Sequence, residues 1–297
     1  MAESAFTVDL LNPGQVFACL GVLEAAEILQ GDASAAFDWT GREVVFRVAA
    51  GDDEPPAERI MRFLEEADVV ARVPRGSRNL EAWKKSWGPA PEVDEEGEPF
   101  PFPDPTSPAT LPVVLRDESG NEIELDYWGD ATKRDGVKFW AGAGGFPGAA
   151  ITRDALGIAR GKMRQHATNP FAFSGPQTIS FRFDWRRDYI PLQDGFSPNR
   201  HGNVRMVGFP LVEVLAAIGL GNARPERRDR LRYRYGVLGQ SDGRLLDPLF
   251  HRAALGAGGS PVPGNPYRRF AMHLDWPGQE GQARCIAHVS EEEETND

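Results

Sequence analysis

Apolar positions recur at helical spacing along residues 12–30: Val16, Leu20 and Leu23 form one stripe, and Ala18, Gly21 and Ala25 a second beside it. The pattern predicts a helix whose large residues enter a core and whose small ones let its axis approach a sheet. Asn12 supplies an N-cap, Pro13 sits where a missing N–H costs nothing, and Gly31 closes the element. Ahead of it FTVDLL (6–11) alternates as a strand, and EVVFRVA (43–49) returns as another. A second helix is expected over residues 57–70, with Ile60, Met61, Phe63 and Leu64 on its apolar side.

The pattern then breaks. Residues 88–112 hold eight prolines and a cluster of acids, so they read as a loop insertion, because proline removes ladder donors and acids resist burial. LPVVLR, a DESGN turn and EIELDYW predict a hairpin, and the glycine-rich loop 142–148 feeds a helix that Thr152 would cap. QTISFRFDWRRDYI alternates as a strand, with Ile179, Phe181, Phe183 and Trp185 opposite Arg182 and Arg186. GFPLVEVLAAIGLGNARP predicts a helix opened by Pro210 and stopped by Gly219 and Gly221. RLRYRYGVL alternates again, setting Leu231, Tyr233 and Tyr235 against Arg232 and Arg234. A glycine- and proline-rich segment (256–266) precedes two more strands, and no repeat of fixed period is present.

This order lacks a regular βαβ cadence and predicts an α+β fold with a largely antiparallel sheet and long loop insertions. The opening strand–helix–strand reads as half of a ferredoxin-like unit. The expected organisation is an N-terminal core portion (1–87), the proline- and acid-rich insertion (88–112), a basic α+β portion (113–289) and a disordered acidic tail (290–297).

Charge sharpens the picture. The net charge is −11, yet residues 50–130 carry 20 acidic against 8 basic side chains, and residues 151–252 carry 17 basic against 9 acidic. Such asymmetry lets one face meet a polyanion while another keeps the chain soluble. No apolar run is long enough to span a membrane, and no secretory leader pattern opens the chain. Two distant cysteines, Cys19 and Cys285, argue against a disulfide framework. A cytoplasmic location is therefore expected.

Catalytic patterns are sparse. The five histidines never fall at i,i+3 or i,i+4 spacing, no Gly-x-Ser-x-Gly elbow exists, and the 142–148 loop lacks the Gly-Lys-Ser/Thr of a phosphate-binding loop. No metal and no cofactor are expected. Binding is the better-supported chemistry, because arginine suits phosphates and backbone N–H groups of a glycine loop can converge on an anion. Candidate contacts are Gly142, Gly144 and Gly145 of the loop, with Arg153, Arg160, Lys162, Arg164, Arg186, Arg187, Arg200 and Arg205.

Three phrases, VDLLNPGQVFACLGVLEAAEIL (8–29), LDYWGDATKRDGVKFWAGAGGFP (125–147) and the stretch 184–225, resemble accessory subunits of type I-U (I-G) CRISPR-Cas effector complexes. These are the Csb/Csx-type family, RAMP-like or Cas8-like. The resemblance implies ferredoxin-like, RAMP-like units and a non-catalytic role in antiviral defence. The partners it implies are guide RNA, target DNA or both, with sister subunits of the complex. It adds Lys138 and Trp140 to the nucleic-acid contacts and makes 255–264 a second claimant for the glycine loop. Two other readings stand beside it: a metal-independent endoribonuclease using His166 or His201, and a purely structural adaptor.

Overall fold

The computed structural model describes residues 2–94, 107–128, 146–187, 206–276 and 284–292. Their strands are β1 (Ala2–Val8), β2 (Ser34–Asp38), β3 (Val44–Ala50), β4 (Asp68–Pro74), β5 (Glu92–Asp94), β6 (Val113–Arg116) and β7 (Glu122–Leu125), then β8 (Gly175–Pro176), β9 (Val207–Gly208), β10 (Glu226–Arg227), β11 (Arg232–Leu238), β12 (Tyr267–Asp275) and β13 (Cys285–Glu292). Their helices are α1 (Pro13–Gln30), α2 (Pro56–Glu66), α3 (Gly148–Ala159), α4 (Pro210–Asn222) and α5 (Pro248–Leu255). The strands form sheets ordered β1-β3-β2, β5-β4-β6-β7 and β10-β11-β12-β13, with β8 paired to β9. Among these strand pairs only β4–β5 is parallel, and an isolated parallel bridge joins Phe37 to Gly239. The architecture is α+β and mostly antiparallel.

The centre of the molecule is the pair α1 and α4. Pro13 through Ala26 and Pro210 through Leu220 are buried residue after residue. The buried stretches of both helices are apolar on nearly every side, Gln15, Glu24 and Glu213 excepted, as helices enclosed by the rest of the chain must be. They meet at two glycines. A Cβ at Gly21 would lie 2.6 Å from the carbonyl carbon of Leu215, and one at Gly219 would lie 2.6 Å from the amide nitrogen of Gly21. The small stripe therefore meets another helix at Gly21 and not the expected sheet, and Gly219 lies inside α4, which ends one residue after Gly221. Asn12 caps α1 through Gly14 N–H, and Gly31 ends it at φ +74°. One continuous core joins this pair to residues from Phe6 to Val289.

In the N-terminal unit β1 and β2 both run antiparallel to β3 and flank it, with α1 crossing between them. The strand after α2, β4, pairs with β5 and β6 instead of joining β1. It starts where the sequence pattern continued a helix. After Glu66 the period becomes two, and Val69, Ala71 and Val73 are buried in alternation. The hairpin β6–β7 lies where expected. Thr152 is internal to α3, where its hydroxyl donates to Gly148 O. The last strand runs through Ser290–Glu292, into the stretch that composition assigned to a tail; residues 293–297 lie outside the described residues, as do 95–106 of the insertion.

Residues 177–184 form no strand. Phe181 and Phe183, expected on one face, are both fully buried, while Trp185 is 41% exposed. Arg182 adopts φ +70° between them. The backbone N–H groups of Arg182, Phe183 and Asp184 donate to the Glu213 carboxylate at 2.8, 3.1 and 3.1 Å. A side chain of α4 thus takes the donors that a neighbouring strand would have used.

Candidate nucleic-acid interface

The arginines singled out by charge mostly serve the fold. Arg153 on α3 donates to Val69 O at 3.3 Å and Trp87 O at 2.7 Å, and burial lowers its pKa. Arg160 donates to Ala67 O at 2.7 Å. Together they cap carbonyls along β4 and line a cleft of about 330 Å³ with Asp68, Pro89 and Glu92. Arg164 pairs with Glu66 at 3.0 Å, and exposed Lys162 lies in a loop whose Gly161 and Met163 N–H groups donate to Glu65. Arg187 donates to Thr178 O at 3.3 Å. Lys138, Trp140, Gly142, Gly144, Gly145, Arg200, Arg205 and His201 lie outside the described residues. His166 packs edge-on against Phe173 with ring centroids 5.0 Å apart.

Arg186 belongs to a buried polar hub where α1 and α4 begin. Its guanidinium grips Asp184 at 2.6 Å, donates to Phe171 O and lies 3.6 Å from the ring centre of Phe209. Asp184 accepts in turn from Asn12 Nδ2 at 3.0 Å. Asn12, Asp184 and Glu213 are at most 2% exposed. Burial pushes the Glu213 carboxyl up to about 7, against the pull of the Asp184 N–H and the Arg187 charge. Burial, then the Glu213 charge, drives the Tyr127 phenol well above its usual range. The oxygens of Asp184 are thus taken by Asn12 and Arg186, and those of Glu213 by the backbone N–H groups of residues 182–184.

The exposed positive charge lies elsewhere, on the β10–β11 hairpin. Its register pairs Glu226 with Arg234 and Arg227 with Tyr233, and Arg228 N–H donates to Arg232 O across the turn at 2.9 Å. Alternation sends Tyr233 and Tyr235 into the core and leaves Arg232 and Arg234 outward. Arg228 and Arg230 are exposed in the turn and Arg227 just before it; Arg269 joins Arg232 and Arg234 from β12, whereas Arg284, ahead of β13, reaches Tyr233 on the side where the register also places Arg227. Those seven arginines face three carboxylates: Glu226 on Arg228 (3.1 Å), Asp229 on Arg232 (3.8 Å) and Glu292 on both Arg234 and Arg269 (2.7 Å each). Burial lowers the Arg284 pKa, and the neighbouring charges of Arg230 and Arg227 lower it further.

A cleft of about 320 Å³ opens on this face, where the carboxylates of Asp229 and Glu292 line it beside Arg228, Arg232, Arg234 and His273. Arg232 stands level with His273 on β12 and His288 on β13. The two imidazoles are 6.0 Å apart between ring centres. The signal in the sequence was the density of arginine in RPERRDRLRYR (224–234), six against two acids. Reading Arg232 and Arg234 as one face of a strand passed over the turn that gathers the others. The second glycine loop, 255–264, links α5 to β12; Gly259 and Gly264 hold φ of +120° and +85°, and Asn265 ties the segment's end to Gly239 O.

Among the described residues no group of three or more His, Cys, Asp or Glu is placed to hold a metal ion, and no helix is long and apolar enough to cross a membrane. Cys19 is buried in α1, where burial raises its thiol pKa well above the ordinary value. No family model matches the chain, and neither a curated protein nor a solved structure matches it.

Proposed function

We propose that this protein is a non-catalytic, polynucleotide-binding subunit of an RNA-guided complex of the type I-U CRISPR-Cas kind, acting in the cytoplasm beside sister subunits. In that reading the β1-β3-β2 unit with its crossing helix is the ferredoxin-like, RAMP-like half of the fold, and guide RNA or target DNA is the ligand. The observation that carries the reading is the β10–β11 hairpin, where seven arginines outnumber the three carboxylates around them. Exposed ion pairs such as Arg232–Asp229 are weak, so phosphates can displace their acidic partners at little cost. The net charge of −11 favours a local grip over coating of the whole surface.

The test is a titration of the purified chain, alone and with its sister subunits, against labelled RNA and DNA across roughly 50 to 200 mM salt. The expected result is a linear fall of log affinity with log salt, of slope about −0.7 per phosphate contacted on a single strand. Affinity indifferent to salt, or no binding in the assembled complex, refutes the reading.

A further inference from the structure

We infer that the cleft on the outward face of the C-terminal sheet seats one nucleotide of a single strand, its phosphate on Arg232 and Arg228 and its base on His273, with His288 carrying the next base. This inference rests on the polynucleotide reading above and names the form of the ligand.

Three observations support it. The cleft, about 320 Å³, lies at the small end of the ~300–1,000 Å³ typical of small-ligand sites. It has room for a nucleotide with its base splayed out of a stack.

Second, the strand alternation that buries Tyr233 and Tyr235 removes their rings from the arginine face, and His273 and His288 return rings to it. They come from adjacent strands in register, level with Arg232. Imidazole is among the platforms on which unpaired bases stack.

Third, Arg232 is the most available cation of the cleft. Its side chain is 67% exposed and its acidic partner stands off at 3.8 Å, whereas Arg234 is held by Glu292 at 2.7 Å. A duplex keeps its bases inside and offers only phosphates, so it gains the arginine contacts without the imidazole ones. The preference for single strands follows from that difference, and it applies to RNA and DNA alike because phosphodiester and base face are common to both.

The experiment compares a labelled twelve-nucleotide RNA, the same sequence in DNA, and the matching duplexes. Each is titrated against the full chain and against Arg232→Ala, His273→Ala and Arg164→Ala. Both single strands are expected to bind more tightly than their duplexes. His273→Ala should weaken single-strand binding about fivefold or more with an unchanged salt slope, as loss of one stacked base does. Arg232→Ala should weaken it and lower the slope by about 0.7, as loss of one phosphate contact does. Arg164→Ala, on the α2–α3 side, should change nothing. Duplex bound as tightly as single strand, or wild-type affinity in both cleft variants, overturns the seat and leaves the polynucleotide reading standing. No binding of any probe by the wild type, alone or assembled with its sister subunits, removes both.

Discussion

The crossing of α1 and α4 makes one substitution carry opposite signs at positions two residues apart. Gly219 and Gly221 both belong to α4, Gly221 one residue from its end. Alanine is about 1 kcal/mol better than glycine in a helix interior, so propensity alone predicts a gain at both. A Cβ at Gly221 meets nothing within 4 Å, and Gly221→Ala should stabilise by up to about 1 kcal/mol. A Cβ at Gly219 lies 2.6 Å from Gly21 N and closer still to Phe17 O, and both are backbone atoms that no rotamer change can move. Ordinary contact begins near 3.4 Å, so the axes must part by about 1 Å. A gap of 0.5–1 Å forfeits a quarter to a half of each dispersion contact along the seam. Overpacking of this kind costs about 1–3 kcal/mol or more. Gly219→Ala should therefore lose about 2 kcal/mol net, the upper end of that cost less the helix-propensity gain, and Gly21→Ala, aimed at the Leu215 carbonyl, at least as much. The double variant should lose less than the sum, because helices already parted accommodate the second methyl. Urea denaturation followed by circular dichroism reads these values from midpoints at constant slope. A Gly219→Ala protein as stable as the wild type would show that the two backbones do not touch.

Asn12→Asp keeps an equally good N-cap but sets a second carboxylate where Asn12 Nδ2 donated to Asp184. It should cost about 2 kcal/mol or more at neutral pH, and Asp184→Asn should restore most of the loss in a double-mutant cycle by thermal denaturation. His251 is buried, its ring Nε2 is 2.8 Å from Ala35 O, and burial lowers its pKa from 6.5 to about 4. The unfolded chain then binds the extra proton first, so stability present above pH 6.5 is lost as pH falls toward 4, by about 3 kcal/mol at 1.36 per unit. Glu213 runs the other way: its contribution is full below the ordinary carboxyl range and is lost as pH rises through about 7. Subtracting a His251→Gln profile from the wild type isolates the histidine, and identical slopes from pH 6.5 to 4 would refute its neutral burial. Arg153→Ala, which leaves the carbonyls of Val69 and Trp87 without their guanidinium, should cost about 2–3 kcal/mol. Arg164→Ala, at an exposed pair with Glu66, should stay within about 0.5 kcal/mol by the same melts.

The legible parts of the chain were those in which local pattern and tertiary demand agree. α1 with its Asn12 cap and Gly31 stop, the β6–β7 hairpin, β11 and the last two strands follow period and turn chemistry alone. Misreadings arose where a distant group intervened. The 177–184 segment alternates like a strand, but Glu213, some thirty residues on, takes its donors and both phenylalanines enter the core. Gly219 looked like a helix stop because its real constraint, the backbone of α1, lies some two hundred residues away in sequence. β2 and α5 passed unread: SAAFD is short and small-sided, and PLFHRAAL offers barely two turns of period. In the candidate interface the excess of arginine over 151–252 was visible from composition. Which guanidinium groups would be spent on the carbonyls of β4, and which would be left on a turn, depended on packing that no local pattern encodes.

The α1–α4 crossing also bears on dissection of the gene. Helices that begin at residues 13 and 210 share one seam, so a cut anywhere between them strands a largely apolar helix on each fragment. Neither fragment should persist alone in water, yet the pair, expressed together, should find each other and rebuild the seam. The chain is a natural template for a two-piece reporter, and a poor one for truncation.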